Sequence, residues 1–147
     1  MATGQRKQDP FRGYKFRVVI DGISKAGFRE VSGLDAGTDP VDYREGDGDT
    51  ILKLAGLKKF SNITLKRGIT NDLDLWKWRS LVMDGKIKDA RKDGQIFLLD
   101  DEGKDAAEWT FASGWPAKWT GPTFNATANE VAIDTIEIAH EGLKRVK

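Results

Sequence analysis

Along most of this chain, apolar and polar residues alternate at the two-residue period of a half-buried strand. Tyr14, Phe16, Val18 and Ile20 share one face, with Lys15, Arg17 and Val19 between them. Asp21-Gly22 follows, a pair that tolerates the backbone of a tight hairpin turn, and predicts a return strand from Ile23 to about Val31. The apolar phase of that strand slips around Gly27, where a bulge is expected. Phe60 to Lys66 sets Ile63 and Leu65 against Asn62, Thr64 and Lys66. Ile96 to Leu99 is continuously apolar, as in a strand covered on both faces. Trp109 and Phe111 alternate on the next strand, which Gly114 and Pro116 bend and Gly121-Pro122 breaks. The last strand, Asn129 to about Glu141, changes phase at Asp134-Thr135: Val131 and Ile133 lie on one side, Ile136 and Ile138 on the other. A bulge, or a change of neighbours along the strand, accounts for such a switch.

One stretch departs from this period. Thr70 to Gly85, TNDLDLWKWRSLVMDG, predicts a single α-helix over about residues 72–84. Asn71 or Asp72 can cap its start with a side-chain oxygen, Asp72 and Asp74 sit at the positive end of the helix dipole, and Gly85 is a stop. At the helical period its apolar residues leave no apolar-free arc wider than about 80°. A helix apolar nearly all round is covered on more than one side. One sheet of a small β domain covers one side, so the other is expected to meet a second subunit.

Asp35 to Gly56 is rich in glycine and acidic residues, and Ile51, Leu52, Leu54 and Leu57 give it an apolar end. It reads as a long extended loop over about residues 38–57, an arm or long hairpin that reaches beyond the domain. Residues 1–8 are polar and read as a flexible N-terminal arm, and residues 9–147 as a single β domain. The expected fold is mainly β, a barrel or sandwich of about six to eight strands with one flanking helix.

Composition narrows the chemistry. The 147 residues hold 24 basic and 23 acidic side chains, and a net charge of +1 gives no reason to expect a polyanion-binding surface. The short basic pairs Lys58-Lys59 and Lys66-Arg67 are nearly cancelled by nearby acids. No apolar run is long enough to span a membrane, and none near Met1 forms a signal-peptide core. There is no cysteine and one histidine, His140, which reads as a packing or hydrogen-bonding residue rather than a metal ligand or part of a triad. Glu45-Gly46-Asp47-Gly48-Asp49 lacks the remaining ligands of a calcium loop. Gly46-x-Gly48 lacks the third glycine and the helix of a nucleotide-binding turn. No catalytic residue, cofactor site or metal site is expected. Five tryptophans, grouped mostly as Trp76/Trp78 and Trp115/Trp119, read as core plus interface.

Six segments, in this order and spacing, carry a family resemblance: AGFREVSGL (Ala26–Leu34), VDYREG (Val41–Gly46), LAGLKKFSNITLKRGIT (Leu54–Thr70), LWKWR (Leu75–Arg79), GWPAKWTGP (Gly114–Pro122) and NEVAIDTIEIAHEGL (Asn129–Leu143). From Asp9-Pro10 to about Leu143 the chain resembles the inner tube proteins of contractile phage tails and of extracellular contractile injection systems. The resemblance implies a β-barrel-like subunit with a flanking helix. Such subunits form hexameric rings by joining their sheets, and the rings stack into a hollow tube that carries cargo when a sheath contracts. It also implies partners: further copies of the chain, a sheath protein, baseplate or spike and tube-terminating proteins, and effector protein or DNA in the lumen. Assembly is expected in the cytoplasm, and action in an extracellular or virion-like particle. Taken with exposure arguments, the resemblance places Leu75, Trp76, Trp78, Asp134 and Thr135 at subunit interfaces, and Tyr43, Arg44, Glu45 and Leu57 in ring stacking. Two other readings stay open: a tube-initiating or baseplate adaptor paralogue, and a β-barrel module binding oligonucleotide or sugar through Trp115 and Trp119.

Overall fold

The computed structural model describes residues 10–13, 15–23 and 27–147. The expected N-terminal arm, residues 1–8, lies outside the described residues. The chain runs β1 (Phe16–Ile20), β2 (Phe28–Ser32), β3 (Gly37–Tyr43), β4 (Leu52–Lys59), β5 (Ile63–Gly68), α1 (Asp74–Met83), α2 (Ile87–Ala90), β6 (Lys92–Leu99), β7 (Asp105–Thr120), β8 (Ile133–Ala139) and β9 (Gly142–Arg145). The fold is mainly β, as the period-two pattern predicts. Its strands form a seven-stranded sheet in the order β1-β6-β7-β8-β5-β2, with β9 also on β7, and a separate two-stranded sheet, β3-β4.

β7 is the spine of the larger sheet. Its first half pairs with β6 on one edge and β9 on the other, and its second half, Trp115–Thr120, pairs with β8. Gly114 and Pro116 do not interrupt it. They fall where the ladder shifts register and where Ser113 takes φ 53°, so the strand bends and carries the sheet into a second layer. Proline suits this place because a shifted ladder leaves its missing N–H without consequence. The sheet does not close into a barrel; a cleft of about 330 Å³ is lined by Phe16, Val31, Leu34, Ile96 and Trp109, from both ends of the strand order.

The core sits between the two layers. Val18, Ile20, Ile96 and Phe111 meet Ile63, Leu65, Ile136 and Ile138, and Leu75 and Trp78 of α1 fill the open end. Trp78 satisfies its indole N–H by donating to the Ala90 carbonyl at 2.6 Å, which ties α1 to α2.

Four expectations change. Asp21-Gly22 does not make a β1-β2 hairpin: β1 pairs with β6 and β2 with β5, because each strand's apolar face continues that of its in-sheet neighbour toward the core. The charged link after Gly85 contains a second helix, α2, one turn long and anchored by the fully buried Ala90. The last strand begins at Ile133, not Asn129, so Val131 lies outside it, 67% exposed. The phase switch at Asp134-Thr135 is therefore the entry into the strand, since β8 pairs with β5 without any register shift. The first helix starts at Asp74, two residues later than expected. Leu73 precedes it without a side-chain cap, and Asp72 instead accepts the Asp74 N–H at 3.0 Å. The stop at Gly85 holds: with φ 78° it lets Gly85 and Lys86 donate back to Val82 and Leu81, closing the last turn.

Packing is tight where β6 lies beside β7. A Cβ on Gly94 would stand 2.2 Å from Phe111 Cζ, and that ring is itself fixed in the core. Gly94→Ala is expected to lower stability by about 1–3 kcal/mol through overpacking, read as a lower urea midpoint with an unchanged m value.

Candidate assembly surfaces

The helix is set on the sheet by a buried ion pair. Arg67 falls in phase with Ile63 and Leu65 on β5, so its side chain enters the core face, where it is 3% exposed. Its guanidinium forks onto Asp74, with Nη1 donating to Oδ2 at 2.9 Å and Nη2 to Oδ1. Those hydrogen bonds hold the Arg67 pKa above its ordinary value against the opposing effect of burial. The Phe28 ring lies 5.5 Å from the guanidinium carbon.

Asp134 is Arg67's cross-strand partner on β8, and its Oδ1 is buried without a hydrogen-bond partner. Burial pushes its carboxyl above the usual carboxylate range; the charge of Arg67 pulls against that shift and the charge of Asp74 adds to it.

The position of α1 decides which of its apolar residues remain outside. Leu75 and Trp78, expected at a subunit interface, lie inside the subunit at 1% and 2% exposure. Leu73, Trp76 and Met83 form the outward strip. Trp76 meets Trp119 edge to face at 4.9 Å, and with Ile69, Leu73 and Asp134 they line a cleft of about 340 Å³. Asp134 and Thr135 are separated: Asp134 pairs with Arg67 on the core face, while Thr135 pairs with Lys66 on the opposite face. Tyr43 and Leu57 are exposed on the β3-β4 hairpin, and Arg44 and Glu45 on the turn that joins its strands.

That hairpin is the long loop predicted from the sequence, more regular than expected. Every residue of β3 is exposed, and the one half-buried position of β4 is Gly56. Register puts Val41 opposite Leu54 and Tyr43 opposite Leu52, so these four apolar side chains share one face. The other face holds the Asp42–Lys53 ion pair at 2.5 Å.

The outer face of the layer β7-β8-β5-β2 is mostly polar, with the half-buried Ile133 and Ala139 in the same phase at the two ends of β8. Register brings Glu30, Ser32, Thr64, Lys66, Thr135, Glu137, Lys118 and Thr120 to it, on the side away from Leu65 and Ile136. Its charges pair as Lys66–Glu30 at 3.4 Å and Lys118–Glu137 at 4.0 Å.

Sequence reasoning missed Arg67. The available signal was a cation in apolar phase on β5, a few residues before an acidic helix start. Among the described residues, no group of three or more His, Asp or Glu side chains could hold a metal ion. His140 donates or accepts nothing beyond its contact with the Ser61 carbonyl at 3.0 Å and packs between the Phe60 and Phe111 rings.

An exposed apolar hairpin, an outward tryptophan strip and a hydrophilic sheet face make an assembling subunit, and the family comparison agrees. Residues 12–144 match the model of the T4-like virus tail tube protein gp19 family. The chain belongs to that tail tube family. No curated protein matches it. Among solved structures, this tail tube protein is similar to a chain of the extracellular contractile injection system PVC sheath-tube complex in its extended state, with 29% identity, a TM-score of 0.78, and 92% and 90% of the two chains covered. It is also similar to a chain of the PVC sheath/tube terminator structure, at 28% identity and TM-score 0.82 over 97% and 100%. Hcp1 from Flavobacterium johnsoniae shares the fold at 16% identity and TM-score 0.55, over 89% and 94%.

Two measurements test the buried cluster. Asp74→Ala leaves a buried guanidinium unpaired and is expected to cost about 3–5 kcal/mol, whereas Arg67→Met with Asp74→Leu should restore most of that loss; urea unfolding of the three chains measures both. Because the folded state raises the Asp134 pKa, it binds that proton more tightly than the unfolded chain does. The contribution of Asp134 to stability therefore falls as pH rises from the ordinary aspartate value through the raised one, then levels. Asp134→Asn should remove this slope and gain on wild type toward neutral pH, as thermal midpoints across pH 3–8 would show.

Proposed function

We propose that this chain is a building block of the hollow inner tube of a contractile injection device: copies close into hexameric rings, the rings stack, and the tube carries cargo when a surrounding sheath contracts. The single observation that carries the reading is the predominantly polar, charge-paired outer face of β7-β8-β5-β2. A conduit wall needs a surface that is wetted and offers passing cargo neither an apolar patch nor a net charge to adhere to.

Ring closure follows from the topology. β2 ends the strand order with one unpaired edge, and all neighbours in this layer are antiparallel. Repeating an even number of alternating strands head to tail preserves the alternation from copy to copy, and a rotation that closes gives a ring without exposed edges. The outward strip of Leu73, Trp76 and Met83 meets a ring neighbour, and Tyr43, Arg44, Glu45 and Leu57 on the hairpin make the ring-to-ring contact. The related structures include a sheath-tube complex, a baseplate and a tube-terminating cap, and we assign such partners to this chain, together with effector protein or DNA as cargo. The subunit is assembled in the cytoplasm and works in an extracellular or virion-like particle as a non-enzymatic component. Trp115 and Trp119 do not form an open aromatic platform for a base or sugar: Trp115 packs on the core and Trp119 on Trp76.

Negative-stain electron microscopy over a concentration series tests the reading. Rings or stacked tubes with a central hole are expected; a monomer at every concentration, even with a baseplate template, refutes it. Tyr43→Ala combined with Glu45→Lys is expected to shorten or abolish tubes while rings persist, and unchanged tube length would remove those residues from the stacking contact.

A further inference from the structure

The hairpin β3-β4 and the pair β2-β5 are two parts of one ribbon. Ser32 faces Thr64, and five residues further on each strand Gly37 faces Lys59, so the register carries through without offset. Between them the ladder is interrupted, and the distal part leaves the domain as an arm whose strands bond only to each other. An arm with so little support from its own subunit takes its direction from its root.

That root is built in detail. Gly33 takes φ +86°, and a Cβ there would stand 2.1 Å from the Asn62 carbonyl oxygen, so the two strands cross at backbone contact. The Asp35 N–H donates back to the Gly33 carbonyl at 3.0 Å. The Ser61 N–H donates to Asp35 Oδ1 at 2.9 Å. His140, just past the end of β8, holds the other side of the same residue: its Nε2–H donates to the Ser61 carbonyl at 3.0 Å. The imidazole lies 5.7 Å from the Phe60 ring and 6.1 Å from that of Phe111, a residue of the core. Ser61 is thus gripped from the opposite strand of the ribbon and from the body of the domain.

We propose that Asp35, Ser61 and His140 form a rigid elbow that fixes the direction of the arm before assembly, so that its apolar face meets a second copy of this chain already aimed. The inference rests on the tube reading for its purpose, but not for its geometry. The bonds of Ser61 hold the Asp35 carboxyl below its ordinary pKa, in keeping with an ionised acceptor at the elbow. Pre-setting the arm removes ordering entropy that a loose tether would lose on docking.

The chain has no cysteine, so labels can be placed without removing any native thiol. Asp47→Cys at the arm tip and Glu102→Cys in the turn before β7 take a spin-label pair, and the distance distribution is measured on monomeric full-length protein at low concentration. A single narrow distance is expected. In the background of Asp35→Ala with His140→Phe, which keeps an aromatic ring at the packing site but loses both hydrogen bonds, the distribution should broaden by about twofold or more while the thermal midpoint of the domain changes little. A broad distribution in the otherwise wild-type chain overturns the elbow. A narrow distribution that survives the double substitution overturns its assignment to these residues. Neither result bears on whether tubes form, and absence of tubes in the microscope would leave the distance result standing.

Discussion

A guanidinium buried beneath α1 decides where the helix sits, and the helix decides which surfaces are left to a neighbour. Arg67 is the one charged residue fully buried among the described residues. A buried cation needs a carboxylate within reach, and Asp74 supplies it from the first turn of the helix. Once that contact is made, the rotation of α1 about its axis is fixed. Leu75 and Trp78 turn inward, and Leu73, Trp76 and Met83 turn outward. Ala90 follows, because the Trp78 indole reaches its carbonyl and draws the short helix α2 against the body of the domain. The ion pair adds less to stability than an apolar pair of the same shape could. Its value is in specifying one placement of the helix, and therefore one outward strip.

A monomer with this surface is incomplete in a directed way. The face of Val41, Tyr43, Leu52 and Leu54 and the strip on α1 lie on different elements, so the subunit presents two distinct apolar surfaces. Contacts built from two unlike surfaces repeat head to tail. Each apolar side chain removed from water on docking contributes roughly 1.5–3 kcal/mol, which a few such residues multiply into a useful driving force. The charged flank of the hairpin, with Asp42–Lys53 and Asp39–Lys59, keeps the same ribbon wetted until then and makes uncontrolled edge pairing less favourable.

Most of the fold was legible in the chain because its cause is local. Alternation gave β5, a continuous apolar run gave the buried part of β6, Gly85 gave the helix stop, and the glycine-rich acidic stretch gave an arm without a core of its own. What was hidden depends on partners far away in sequence. Asp21-Gly22 has the chemistry of a hairpin turn, yet β1 is paired with β6, about seventy-five residues later, because tertiary pairing outweighs turn preference. The apolar circumference of α1 implied cover on more than one side, but the pattern cannot say which residues face the subunit's own core and which face outward. Leu75 and Trp78 went to the subunit's own core, Trp76 to the outside. Asp134 and Thr135 were adjacent in the sequence and ended on opposite faces of β8, as a period of two requires. Arg67 in the phase of Ile63 and Leu65 was the readable sign of the buried cluster.

The same period explains how one thin layer can be core on one face and, in the proposed tube, conduit wall on the other. On β5 and β8 the residues Ile63, Leu65, Ile136 and Ile138 are fully or almost fully buried, and the intervening Thr64, Lys66, Thr135 and Glu137 face the other way. Stability is written on one set and the chemistry of the wall on the other, with little coupling between them through side-chain contact. Substitutions on the polar set can change the chemistry of that face without disturbing the packing that shapes the subunit. The exception is the row of Arg67 and Asp134, where charge enters the core face. That row is also where the helix is anchored, so the place at which the rule of alternation is broken is the place at which the sheet is coupled to its assembly surface.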